Sequence, residues 1–138
     1  MAESRIGILC TSWWGLANSD SQLEHLKGFT DSLVTKMLDT AARYKVKVCV
    51  HLEPYKGRSA ISVEKDLKYL IESYGNHPAL YRDPERGNRP IVFVYDSYQT
   101  KAQEWATILK EDGPSSIRGK AHDAIMIALY VDNKVRIF

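Results

Sequence analysis

The chain has 138 residues, of which 44% are hydrophobic and 26% are charged, and its formal net charge is +2. A chain of this length can bury one modest hydrophobic core. Because acidic and basic residues are interspersed, the sequence predicts neither a nucleic-acid partner nor a basic membrane-binding face. The apolar runs are only as long as strands, and residues 1–5 lack the apolar core of a signal peptide, so we expect no targeting or membrane-spanning segment in this chain.

Four short apolar runs are typical of β-strands that are covered on both faces: residues 5–12, 46–52, 90–95 and 124–131. They begin about 35 to 45 residues apart, which is the length of one β–loop–α–loop unit. The sequence therefore predicts an α/β fold with about four βα units, parallel strands and right-handed crossovers, all in one domain over residues 1–138. Two architectures fit this order, an open doubly wound sheet and part of a (β/α)8 barrel, since a complete barrel needs roughly 250 residues.

Amphipathic helices are predicted between these strands. In the first, apolar residues recur at helical spacing from Leu33 to Tyr44, and Asp31 is a suitable N-cap. In the second, Ser62 is the predicted N-cap and Gly75 the predicted end.

The two cysteines, Cys10 and Cys49, each lie inside a predicted strand. We interpret them as two buried thiols, with a structural disulfide as the alternative. No set of ligands at regular spacing indicates a metal site, and we expect no cofactor.

Each predicted strand ends on polar or aromatic residues. The carboxyl ends of parallel strands share one rim, and function concentrates in the loops that follow them. Four such ends predict a polar cleft, although each residue alone could be a helix cap or a loop residue. The residues are Trp13 and Trp14, Glu53 to Lys56, Asp96 to Tyr98, and Asp132 and Asn133.

The second strand gives the sharpest prediction. Its alternation places an aliphatic set on one face, and places His51 and Glu53 together on the other. A carboxylate at the mouth of a cleft can accept sugar hydroxyl groups or orient another acid. The alternatives are a salt bridge from Glu53 to Lys56 or Arg58, and a structural histidine at His51.

The adjacent residues Trp13 and Trp14 alternate in the same way, so one faces the core while the other can stack on a sugar ring. The alternative is that both are core residues. Glu53 and Asp96 are the only carboxyl pair placed suitably for a glycosidase, and from pattern alone His77 is a helix stop. The chain has no G-x-S-x-G, no glycine-rich phosphate loop and no H-E-x-x-H.

Four motifs identify a resemblance. They are I-L-C-T-S-W-W at residues 8–14, V-C-V-H-L-E-P-Y-K at 48–56, K-Y-L-I-E-S-Y-G-N-H-P-A-L-Y-R at 68–82, and V-F-V-Y-D-S-Y at 92–98. In this order and spacing the chain resembles the endo-α-1,2-mannosidase family, glycoside hydrolase family 99, from about residue 4 to residue 131. The vertebrate Golgi members and their paralogue look nearest.

The resemblance implies a partial (β/α)8 TIM barrel from a retaining endo-hydrolase of α-1,2-mannosidic bonds in glucosylated N-glycans. It implies a mannose-containing glycan as partner, no cofactor, and a mechanism in which the 2-hydroxyl of the substrate attacks its own anomeric carbon. It also implies the residues of the sugar pocket: Trp14 as a stacking platform, with His51, Glu53, Lys56 and Tyr95 around it and His77 nearby.

The chain also departs from the family. The catalytic glutamate pair of the family lies in a later motif of the F-N-E-W-H-E-G type, which is absent from these 138 residues. We therefore expect an internal fragment without catalytic residues that is inactive alone, from a Golgi parent enzyme. The alternatives are a non-catalytic carbohydrate-binding remnant and an inert truncated isoform. Half a barrel exposes two strand edges, so we also expect self-association, aggregation or a partly molten state.

Overall fold

The computed structural model describes residues 5–15 and 24–129, with only the backbone of 24–29. The elements in chain order are β1 Ile8–Trp13, α1 Glu24–Arg43, β2 Lys47–Leu52, α2 Ala60–Tyr74, β3 Arg82–Asp83, β4 Arg89–Val94, α3 Ala102–Leu109 and β5 Ile125–Ala128. Short 3-10 helices lie at Pro84–Arg86 and Ser97–Gln99. The α/β fold is thus confirmed, and β3 is an additional strand that the sequence did not predict.

Four of the strands form one parallel sheet in the order β1, β2, β4, β5. Cys10 lies opposite Cys49, Val50 opposite Val92, and Phe93 opposite Ile127. The short β3 pairs antiparallel with the start of β4. Consecutive parallel strands are therefore neighbours, as in a barrel wall built from successive βα units.

All three helices pack on the same face of this sheet. One cluster of buried side chains joins the helices to the strands: Val34 and Leu38 from α1, Val63 and Leu67 from α2, Ile108 from α3, and Val48, Val50, Leu52 and Val92 from the sheet. A doubly wound sheet would carry helices on both faces. The one-sided arrangement favours the partial barrel.

The opposite face of the sheet corresponds to the inside of a barrel. Ile8, Cys10 and Ile127 are exposed on it, and Tyr95 is exposed just beyond the end of β4. The expectation of two buried thiols is therefore wrong for Cys10, because β1 is an edge strand and its inner face is not covered by the described residues. Cys49, on the central strand β2, is buried as expected.

The first helix differs from its prediction. Asp31 is not an N-cap, because α1 already begins at Glu24, and its carboxylate accepts hydrogen bonds from the side chains of Trp13 and Tyr69 instead. Leu33 and Tyr44, predicted to face the core, are 41% and 64% exposed. Both line an open groove beside the edge strand β1.

The second helix ends at Gly75, which is its C-cap, as predicted. Its N-cap is Ser59 rather than Ser62. The two serines form a capping box, in which the Ser59 side chain accepts from the Ser62 N–H and the Ser62 hydroxyl accepts from the Ser59 N–H. Within residues 24–129 no helix is both long and apolar enough to cross a membrane.

Candidate active-site rim

His51 and Glu53 lie on the inner face at the end of β2, as the alternation predicted. The His51 Nδ1 and a Glu53 carboxylate oxygen are 3.0 Å apart, and Glu53 is only 9% exposed. An ionised carboxylate can only accept, so Nδ1 carries the hydrogen, and in the neutral ring Nε2 is an acceptor. The pair thus presents a fixed carboxylate and a ring nitrogen of defined hydrogen-bonding character.

Glu53 does not take the alternative role in a salt bridge. Both Lys56 and Arg58 belong to the described part of the chain, and neither forms an ion pair with Glu53 there. Burial lowers the pKa of Arg58, and the nearby Tyr55, Asp96 and Glu53 side chains partly oppose that lowering. Lys56 is exposed.

Tyr95 joins this pair from the neighbouring strand. Its ring meets the His51 imidazole edge to face, with ring centroids 5.4 Å apart. The backbone ladder continues past the strand ends, since the N–H of Tyr95 donates to the Leu52 carbonyl and the N–H of Glu53 donates to the Trp13 carbonyl. The ends of β1, β2 and β4 are therefore hydrogen-bonded into one rim.

The two tryptophans differ in burial, as the alternation predicted. Trp13 is fully buried, donates its indole N–H to Asp31 at 3.1 Å, and stacks on Tyr69. Trp14 is half-buried, and its backbone N–H donates to the Thr30 hydroxyl at 3.4 Å. The alternative that both indoles are core residues does not hold, because Trp14, just past the end of β1, is not fully buried.

Gly15 follows Trp14 in a left-handed conformation, with φ of 86°. A Cβ atom at this position would lie 3.2 Å from the Tyr55 ring, so the glycine permits both the turn and the close approach of that ring. The Tyr55 hydroxyl in turn donates to Asp66 and contacts the Ser62 hydroxyl at 2.7 Å. Burial, and then Asp66, raise the pKa of Tyr55 well above its usual value, so it stays a protonated donor.

Sequence reasoning missed the structural role of Arg58. Its guanidinium donates to the Asp96 carbonyl at 2.8 Å and to the Leu52 carbonyl at 3.4 Å. These bonds tie the loop after β2 to the end of β4. Five fixed donors suit arginine to this bridging task, and a basic residue soon after a strand end was the available signal.

Asp96 has a structural role at the rim. It adopts a left-handed conformation with φ of 49°, and its carboxylate accepts from the Tyr98 hydroxyl at 2.8 Å and the Gln99 amide at 2.9 Å. The same bond to Asp96 raises the pKa of Tyr98. Asp132 and Asn133, expected to complete the rim, lie outside the described residues.

His77 does not join the other residues, and the expectation that it lies near them is wrong. Its imidazole contacts Asp39 at 3.2 Å and accepts from the Ala79 N–H. Leu80, three residues after His77, bridges to Val48, near the beginning of β2. His77 therefore sits at the amino end of the strands, whereas His51 and Glu53 sit at the carboxyl end.

The rim carries side chains of the kinds that suit a polyhydroxylated ligand. It combines a buried carboxylate, an imidazole, an exposed phenol and a partly exposed indole, which together accept hydroxyl groups and pack on an apolar ring face. In the described ranges, no three His, Cys, Asp or Glu side chains cluster as metal ligands.

The family model for glycosyl hydrolase family 99 matches residues 1–138. The chain belongs to this family. It is 41% identical over 136 residues to the glycoprotein endo-alpha-1,2-mannosidase of Rattus norvegicus, and 40% identical over 134 residues to the glycoprotein endo-alpha-1,2-mannosidase-like protein of Mus musculus. These alignments cover 97% and 96% of this chain but only 29% of each relative.

Solved structures of the same family support the partial barrel. The GH99 endo-alpha-mannosidase from Bacteroides thetaiotaomicron, in complex with bis-tris-propane, matches with a TM-score of 0.81 and 33% sequence identity. The match covers 96% of this chain and 37% of that one. The four parallel strands and their helices are thus part of a GH99 (β/α) barrel.

Proposed function

We propose that this chain supplies one side of the substrate cleft of an endo-α-1,2-mannosidase-type glycosidase, whose parent enzyme hydrolyses α-1,2-mannosidic bonds in glucosylated N-glycans. The observation that carries the proposal is the His51–Glu53 pair at the carboxyl end of β2, with Tyr95 against it. The family supplies the reaction class, and the rim supplies the groups that recognise the sugar.

Each group has a separate task in this proposal. Glu53 accepts a mannose hydroxyl, and the Nε2 atom of His51 meets a second hydroxyl. Lys56 donates from the loop, and Trp14 packs against a sugar face. A buried carboxylate already held by an imidazole loses little freedom on binding, which favours affinity.

Hydrolysis needs a second carboxyl group. The only candidate partner in the sequence, Asp96, is engaged by Tyr98 and Gln99. We infer that the 138 residues hold part of the substrate cleft but do not hydrolyse a mannoside alone, and that turnover requires the F-N-E-W-H-E-G-type segment of the family.

Calorimetry with α-1,2-linked mannobiose, alongside a hydrolysis assay, tests this function. Loss of a hydrogen bond to a charged group costs roughly 1.5–3 kcal/mol, so Glu53→Gln weakens binding roughly 10- to 150-fold. Glu64→Gln is the matched control, because Glu64 also contacts a histidine, His122, at 3.1 Å but belongs to α2 rather than to a strand end. Equal losses in both variants, or no binding by the unaltered chain, would contradict the proposal.

The cellular setting follows from the same proposal. Processing of glucosylated N-glycans places the parent enzyme in the Golgi, and the near-neutral charge gives no reason to expect a nucleic-acid partner. A tagged parent enzyme should co-localise with a Golgi marker, and an exclusively cytosolic signal would contradict this setting.

We also propose that the chain associates with a second copy through its sheet edges. Within the described residues β1 and β5 are each paired on one side only. An apolar groove of about 490 Å³ lies beside β1, and one of about 580 Å³ lies beside β5. The unpaired N–H and C=O groups of an edge strand can pair with another chain, so β5 of one copy can pair with β1 of the next.

Sedimentation over a range of concentrations tests this association. Leu33→Glu puts a charge into the groove beside β1 and should weaken the association at least tenfold. Ile61→Glu is the control, because Ile61 is 44% exposed, similar to Leu33 at 41%, but lines neither groove. A monomer at every concentration, or equal effects of the two charges, would contradict edge pairing.

A further inference from the structure

Two cysteines lie side by side on the inner face of the sheet, one layer below the proposed sugar site. Cys10 of β1 is directly opposite Cys49 of β2, and the next inward pair above them is Ser12 and His51. Neighbouring strands are about 4.8 Å apart, which falls inside the range of Cα separations that disulfides span. The register thus brings two thiols of distant sequence position within bonding reach.

The two thiols differ in access. Cys10 is exposed on the edge strand, whereas Cys49 is 3% exposed. Burial, followed by the proximity of Cys10, raises the pKa of Cys49 to about 12. Cys49 is therefore held as a neutral thiol, and Cys10 is the one that a dissolved reagent reaches first.

We propose that Cys10 and Cys49 form a reversible redox pair, in which Cys10 reacts with a small-molecule disulfide such as oxidised glutathione and Cys49 resolves the adduct. The Cys10 thiolate attacks one sulfur of the small disulfide, which forms a mixed disulfide and releases one small thiol. Cys49 then attacks the Cys10 sulfur as its proton passes to the departing small thiolate, which leaves as the second small thiol. Two protein thiols are oxidised and one small disulfide is reduced to two thiols.

The bond would have a defined structural effect. It joins the edge strand β1 to the central strand β2 and closes a loop that contains the whole of α1. It therefore limits opening of β1, which is paired on only one side in the described residues. The effect depends on strand register alone and is independent of sugar binding.

Intact mass and peptide mapping of the 138-residue chain in oxidised glutathione buffer test the pair. The unaltered chain should lose the mass of two hydrogen atoms, yield a peptide linking Cys10 to Cys49, and return to its starting mass with a reductant. Hydrogen exchange of β1 amides should slow at least tenfold in the oxidised form. A stable glutathione adduct, a cross-linked dimer or no reaction in the unaltered chain would overturn the proposal.

Single variants separate the two roles. Cys49→Ser should stop at one glutathione adduct on Cys10, and Cys10→Ser should form neither adduct nor disulfide in the same time. The double substitution Cys10→Ser with Ser12→Cys keeps two thiols but sets their Cα atoms about 8 Å apart, beyond disulfide reach. This control should accumulate the adduct, and an internal disulfide in it would show that register is not what selects the pair.

Discussion

The adjacent residues Trp13 and Trp14 should respond differently to substitution by phenylalanine. Trp13→Phe removes the indole N–H that holds Asp31 and shrinks a fully buried ring. Trp14→Phe changes the half-buried indole of the rim. We expect the first substitution to destabilise the fold and the second to spare it.

The magnitude follows from the contacts. A hydrogen bond to a charged group contributes roughly 1.5–3 kcal/mol. Asp31 keeps the hydroxyls of Tyr69 at 2.7 Å and Tyr74 at 3.4 Å, so the lower part of that range applies. The smaller ring adds about 1 kcal/mol for the lost packing. Trp13→Phe should therefore cost about 3 kcal/mol, and Trp14→Phe less than about 1 kcal/mol.

Urea unfolding followed by circular dichroism measures the difference. With a slope near 2 kcal/mol/M, the loss at Trp13 lowers the midpoint by ~1.5 M. Both variants must be compared at one protein concentration, because self-association shifts apparent stability. If Trp13→Phe costs no more than Trp14→Phe, the assignment of one indole to the core and the other to the rim is wrong.

Three further substitutions probe the supporting structure. Gly15→Ala should lower stability by more than the roughly 1–2 kcal/mol that a left-handed backbone costs, because the Tyr55 ring lies 3.2 Å from the new Cβ. Gly57→Ala is the control, because its Cβ would meet open space and only the backbone strain remains. Equal losses in the two variants would exclude the ring contact. Ser59→Ala breaks the capping box and should cost about 1 kcal/mol in thermal unfolding, and an unchanged midpoint would exclude the cap. The hydrogen bond from Arg86 lowers the pKa of Asp83, so its stabilisation is present above about pH 4 and declines as the pH falls below that. Asp83→Asn should therefore cost less at pH 2 than at pH 6, and an equal loss at both would refute this.

Two features of the fold could be predicted from residue patterns within short segments. The inward placement of His51 and Glu53 follows from a period of two, and the parallel order follows from strands that are apolar on both faces. Both were confirmed without knowledge of any distant contact. The division of Trp13 from Trp14 follows from the same alternation.

The errors arose where a distant contact decides the outcome. Asp31 has the sequence context of an N-cap, but α1 begins earlier, at Glu24. Its carboxylate instead accepts hydrogen bonds from Trp13 and Tyr69, which are 18 and 38 residues away in the sequence. Cys10 lies in a run typical of buried strands, yet β1 is an edge strand, so the thiol is exposed. His77 follows α2, and its distance from the rim depends on the end of the sheet to which α2 returns.

In this proposal the carboxyl ends of β1, β2 and β4 form one sugar-binding rim. Nuclear magnetic resonance of the labelled chain, titrated with α-1,2-mannobiose, tests it most directly. The Trp14 indole N–H and the His51, Glu53 and Tyr95 amides should shift, while the amides around His77 stay unchanged. Shifts confined to the His77 end of the sheet, or absent from the rim at saturating sugar, would contradict it.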